Sequence, residues 1–157
     1  MTEKCVRLSD IQRGNQLPSH IWNVTQKDIE RFGDLLYPPS KSNPSRSGNP
    51  HIDKEYAAKH IYGGITVDGN HTVAVICEML ACWLPDGAMT SGDTEVNITF
   101  PNPCRPDDII AIQASVLDTA QQPKGYLATF SVEGRNQNGK IIAVGSVTTR
   151  FPPDLSA

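Results

Sequence analysis

The sequence predicts an α+β fold in which a long central helix is wrapped by an antiparallel β-sheet, and three observations carry that expectation. Residues 70–84 are apolar on nearly every side, and a helix apolar all round is a buried one. Beyond them the hydrophobic period changes to two: Val96, Ile98 and Phe100, then Ile110, Ile112, Ala114 and Val116, then Tyr126, Ala128, Phe130 and Val132, then Ile141, Ala143, Gly145 and Val147. Such alternation marks half-buried strands. Three long strands in succession after one buried helix form a sheet packed on that helix.

The elements follow in order. Thr25 is suited to cap a helix over 26–36, with Asp28 three residues on and Ile29, Phe32 and Leu36 at helical spacing. Pro38-Pro39 stops it. Residues 38–50 then hold four Pro, four Ser, two Asn and one Gly, with no apolar residue. A loop of that length is a functional lid or a disordered segment. Residues 53–60 predict a short helix with Asp53 at its N-terminus, where a negative charge suits the dipole. Pro85, Asp86 and Gly87 end the long helix. Pro101, Pro103 and Pro106 stiffen the link between two strands, and Asn138-Gly139 is a hairpin turn. Trp22 and Trp83 are expected in the core or at an interface.

Composition excludes several classes. The chain has 157 residues, 38% hydrophobic and 20% charged, with 14 Lys+Arg against 17 Asp+Glu. At ~100–200 residues per domain, one domain over 1–157 is expected. The apolar fraction is too high and the net charge of −3 too small for a disordered chain. Nor is there the basic clustering of a nucleic-acid binder. The apolar run 72–84 contains Glu78 and is too short to cross ~30 Å of hydrocarbon. Residues 1–7 lack the apolar core of a secretory signal, and Cys5, Cys77, Cys82 and Cys104 include no CxxC pair. Both point to a reducing, cytoplasmic compartment. Cys77 and Cys82 are expected as small buried hydrophobes, and the N-x-Thr triplets at Asn23, Asn70 and Asn97 as structured segments instead of glycosylation acceptors.

A family resemblance joins these readings. Asn49-Pro50-His51-Ile52-Asp53, then Glu55-Tyr56-Ala57, Gly63-Gly64-Ile65 and Gly69, resemble the MaoC-like hot-dog dehydratases, which include the (R)-specific enoyl-CoA hydratases. That signature reads G-D-x-N-P-[ILV]-H-x-D, then a short helix and a G-G-x-x-x-H-G turn into the central helix. Phe100-Pro-Asn-Pro-Cys-Arg-Pro-Asp-Asp-Ile109 is similar to the family's F-x-x-P-V-x-x-G-D strand link. The likeness runs over residues 14–150, and the 18 residues from His51 to Gly69 match the family's spacing. It implies the hot-dog fold, a homodimer or hot-dog heterodimer with sites near the subunit interface, and no cofactor. In such enzymes an Asp and a His bind the water or hydroxyl at the β-carbon. The N–H of the glycine opening the central helix holds the thioester oxygen.

The chain departs from that pattern in four places. Pro50 abuts His51, one residue short of N-P-[ILV]-H. The catalytic Asp has no counterpart in Ser45-Arg46-Ser47-Gly48. The loop over 37–50 is longer than the family's, and the H-G pair reads Asp68-Gly69. The dyad is therefore altered.

The candidate residues follow. His51 is the expected general acid/base, able to exchange protons near neutral pH. Asp68 is either a helix-capping carboxylate or the replacement for the missing acid. Gly69 is the expected oxyanion donor, because a helix N-terminus offers unpaired N–H groups and a positive dipole end. Asn70, Gly64 and Tyr62 complete the expected substrate-binding set. His71 could face core or site, and Arg46 is either a solvated loop residue or a contact for a coenzyme A phosphate. His51, Asp53, His60 and His71 lack the spacing of a metal site. The resulting expectation is a lyase acting on an acyl thioester or related activated carbonyl, and a tailoring dehydratase or cyclase for a polyketide-like intermediate is one form of it. Its alternatives are a non-catalytic hot-dog subunit of a heteromeric dehydratase, or an acyl-CoA thioesterase.

Overall fold

Alternation from residue 95 onward builds the sheet as expected. The computed structural model describes residues 11–90, 92–123 and 125–151; Cys5 and residues 1–7 lie outside them. Five strands, β1 (His20–Asn23), β2 (Glu95–Thr99), β3 (Ile109–Gln122), β4 (Gly125–Arg135) and β5 (Ile141–Phe151), form one antiparallel sheet in the order β1-β3-β4-β5-β2. Register turns the period-two pattern into a face. Ala114 pairs with Val132, Val116 and Val147 both with Phe130, and Ala128 with Thr149, and all of them are buried. A bulge between Val116 and Asp118 shifts the register of β3 on β4, the local device by which long strands bend. The turn before β5 closes as predicted, with Gly139 at φ +76° and its N–H donating to the Asn136 carbonyl at 2.9 Å.

Three helices complete the described fold: α1 (Gln26–Leu36), α2 (Lys54–Lys59) and α3 (Gly69–Trp83). The Thr25 hydroxyl accepts from the Asp28 N–H at 3.1 Å and so caps α1. Asp53 caps α2 through the Tyr56 N–H at 3.0 Å. On α3, Val75, Ile76, Met79 and Leu80 pack into one core with Ile110, Ile112, Phe130 and Val147.

The expectation for α3 needs correction. Only one side of it is buried in this chain; Ala74, Glu78, Ala81 and Cys82 are exposed. The sheet covers a helix from one side, so a second stripe stays open however apolar the sequence. Cys82 is accordingly exposed and Cys77 half-buried, where both were expected inside, while Cys104 is buried. Trp22 is in the core and Trp83 packs at its margin. Phe100, read as a strand residue, lies one position past β2 and is exposed. The short edge strand β1 had no periodic signal and was not anticipated.

The loop 38–50 has a definite conformation. Asn43 accepts from the Ser47 N–H and donates to the Ser47 carbonyl, both at 3.0 Å. Gly48 donates its N–H to Asp53 at 2.9 Å. Arg46 pairs with Asp34 of α1, which identifies it as a tether within the chain. Gly33 of α1 lies so close to Ile52 that a Cβ there would sit 2.6 Å from its Cγ2. The loop is thereby fastened to α1, and α1 to the segment carrying His51.

Candidate active site

The segment between α2 and α3 and the segment before α2 meet at the start of the central helix. His51 is set in place by a side-chain turn, its N–H donating to Asn49 Oδ1 at 2.8 Å. Its ring is fixed by Nδ1, which lies 2.9 Å from the Thr66 carbonyl oxygen. A carbonyl only accepts, so Nδ1 carries the hydrogen and the neutral ring presents the lone pair of Nε2. That Nε2 lies 3.5 Å from Asp68 Oδ2. The two candidate proton-transfer residues are thus neighbours across a gap of 17 positions in sequence.

Asp68 caps α3, and its Oδ1 accepts from the Asn70 N–H at 2.7 Å. Its Oδ2 accepts from the Tyr37 hydroxyl at 2.6 Å. Burial alone would push this carboxyl up. The Tyr37 phenol, the Asn70 N–H and the nearby His51 imidazole outweigh it and hold the carboxyl below its ordinary range. Tyr37 shows the reciprocal effect, its phenol raised by the bond to Asp68, by burial and by the carboxylate's charge.

Gly69 opens α3. Its N–H precedes the first intrahelical bond and has no partner among the described residues. A Cβ at this position would lie 2.9 Å from Cε2 of the Phe100 ring, so the absence of a side chain lets that ring close over the helix start. Beside it opens a cleft of about 180 Å³ lined by His51, Tyr62, Thr66, Gly69, Thr72, Phe100 and Asn102 among others. Val67, Cys104 and Ile142 supply apolar wall. Burial, with the charge of Asp108, pushes the Cys104 thiol up to about 12, so it stays neutral and unreactive.

Of the expected site residues, His51, Tyr62 and Gly69 line the cleft, and Asp68 stands behind them against His51. Gly64 does not line the cleft; the Arg105 guanidinium lies over it and donates to the Tyr62 carbonyl. Asn70 is exposed and serves Asp68 through its backbone N–H, with a smaller contribution from its side chain. His71 faces the other way, stacked on Phe32 of α1 with ring centroids 4.3 Å apart. Burial holds it neutral by lowering its pKa against the charges of Asp28 and Asp68. Among the described residues no three His, Cys, Asp or Glu side chains converge as a metal site, and no helix is long and apolar enough to cross a membrane. Tyr37, Thr66 and Asn102 were not anticipated. Tyr37 carried one faint signal, its place between a helix end and Pro38-Pro39.

No protein-family model and no curated protein sequence matches the chain. Solved structures do. A MaoC-like dehydratase from Rhodospirillum rubrum is 23% identical at TM-score 0.70, covering 93% of this chain and 97% of its own. An (R)-hydratase from Pseudomonas aeruginosa is 20% identical at TM-score 0.69, with 95% and 87% covered. A monoamine oxidase regulatory protein from Archaeoglobus is 20% identical at TM-score 0.75, with 95% of both chains covered. The chain has the MaoC-like hot-dog fold. In that fold α3 is the central helix, and the cleft lies at its N-terminal end, where Asp68 caps the helix and Gly69 opens it.

Proposed function

We propose that the protein is a hydro-lyase that adds water to, or removes it from, the α,β bond of an acyl thioester or a related activated carbonyl. The observation carrying this reading is the 3.5 Å approach of His51 Nε2 to Asp68 beside a cleft that Gly69, at the start of α3, also lines. In hydration, the lone pair of Nε2 takes a proton from a water whose oxygen attacks the β-carbon. The π pair of the α,β bond shifts to join the α-carbon and the carbonyl carbon as the carbonyl π pair moves onto oxygen, where the Gly69 N–H and the helix dipole stabilise the enolate charge. The imidazolium then returns its proton to the α-carbon on the same face, giving syn addition. Dehydration runs through the same states in reverse. Asp68, ionised, orients the water and offsets the imidazolium charge.

The apolar wall of Val67, Cys104 and Ile142 suits a carbon chain, and a polyketide-like intermediate is the larger form of such a substrate. Crotonyl-CoA and longer enoyl-CoAs test the reading by loss of the conjugated thioester absorbance. Failure to hydrate any chain length rules out the acyl-CoA form. Release of free thiol would identify a thioesterase instead. Thioester binding without turnover would identify a non-catalytic subunit, with a second hot-dog chain as its partner.

A further inference from the structure

Tyr37 ends α1 and opens the long loop, a position that no motif marks. Its hydroxyl donates to Asp68 Oδ2 at 2.6 Å, the same oxygen that faces His51 Nε2. Its ring lies 15° from parallel to the imidazole, with centroids 6.4 Å apart. The backbone holds it there, because the Tyr37 N–H donates to the Gly33 carbonyl at 2.8 Å and Pro38 follows with fixed φ. Arg46–Asp34 and Gly33–Ile52 clamp the same helix end to the His51 segment. The phenol is therefore delivered by a docked helix.

We propose that Tyr37 is a positioning residue of this site: its hydroxyl holds the Asp68 carboxylate with Oδ2 turned to His51, supplying support that the chain lacks upstream of His51. This rests on the reading of His51 and Asp68 as the proton-transfer pair. Without the phenol, Asp68 would keep only what Asn70 offers, its N–H at Oδ1 and its side-chain amide, and nothing from α1 at Oδ2. Its carboxylate would then be free to turn away or to take up a proton. The titratable groups facing Asp68 are the phenol from α1, His51 from the segment before α2, and His71 from α3. Across the cleft the Cys104 thiol is neutral.

Tyr37→Phe keeps the ring and removes only the hydroxyl. We expect kcat/KM for an enoyl thioester to fall roughly 10- to 100-fold, the size of one hydrogen bond to a charged group. The acid limb of its pH profile should move to higher pH, since a donor that lowers the Asp68 carboxyl is gone. In an Asp68→Asn background the same substitution should add little, because its effect passes through Asp68. An unmoved acid limb, or full additivity with Asp68→Asn, would overturn the proposal. A second readout needs no activity. The ultraviolet titration of wild type minus that of Tyr37→Phe isolates this phenol from Tyr56, Tyr62 and Tyr126. It should ionise above the ordinary tyrosine range, and lower in Asp68→Asn. Equal titration in both backgrounds would refute the contact even if the enzyme is active. A shifted phenol with no turnover of any thioester would instead remove the hydro-lyase reading, and Tyr37's part in catalysis with it.

Discussion

At the scale of single residues, everything turns on what each hydrogen-bond partner permits. The Thr66 carbonyl can only accept, so it selects the Nδ1–H form of His51 and leaves Nε2 to exchange protons beside Asp68. His51→Ala should therefore lower kcat by on the order of 10²–10⁴, the usual worth of general acid–base catalysis. Stability should change by about 1 kcal/mol, one neutral hydrogen bond, as read by urea unfolding. Full activity in folded His51→Ala would remove the catalytic assignment. Asp68→Asn keeps a good helix cap but loses the charge, so it separates the two readings of Asp68. A loss comparable to His51→Ala marks a partner, and near-native turnover marks a cap. If both act as a unit, the double variant is no worse than the poorer single one.

At the scale of elements, two glycines set how helices meet their neighbours. Alanine is a better helix former than glycine by about 0.8–1.0 kcal/mol, so propensity alone favours replacing either. At Gly69 the added Cβ would meet the edge of the exposed Phe100 ring, which can swing aside. Gly69→Ala should thus leave the melting temperature unchanged or higher. It should still cost up to about 10²-fold in kcat/KM by displacing a cleft wall. At Gly33 the obstacle is Cγ2 of Ile52, a β-branched side chain stiff at χ1. There the clash wins, and Gly33→Ala should destabilise by about 1–3 kcal/mol, the range for overpacking. Adding Ile52→Ala should recover part of that loss; no recovery would place the cost elsewhere in α1.

At the scale of the whole molecule, the Tyr37–Asp68 contact links stability to pH. Asp68 has a depressed carboxyl, so its contribution is present above the ordinary carboxylate range and is lost as pH falls through its folded value. Tyr37 has a raised phenol, so its contribution is present below the ordinary tyrosine range and is lost as pH rises through its folded value. The difference in melting temperature between wild type and Tyr37→Phe should be greatest across the neutral plateau between those limits. It should shrink toward both extremes. A difference that stays constant from acid to alkaline pH would mean the hydroxyl acts without Asp68.

Much of this architecture is legible from local pattern, because a strand's period and a helix's caps are properties of neighbouring residues. The helix over 26–36, the Thr25 and Asp53 caps, the three long strands and the turn at Gly139 all fall where the sequence predicts them. The run His51-x-Asp53 and the glycine opening α3 were visible for the same reason. Other features needed the folded chain. That α3 exposes Ala74 and Cys82 depends on how far the sheet reaches around it, which no residue of α3 encodes. That Asp68 lies 3.5 Å from His51, and that Tyr37 closes on it from α1, depends on three segments meeting over separations of 17 and 31 positions. Hydrogen bonds of that kind leave no period in the sequence. They arise only when packing, here Gly33 on Ile52 and Phe100 on Gly69, fixes one segment against another.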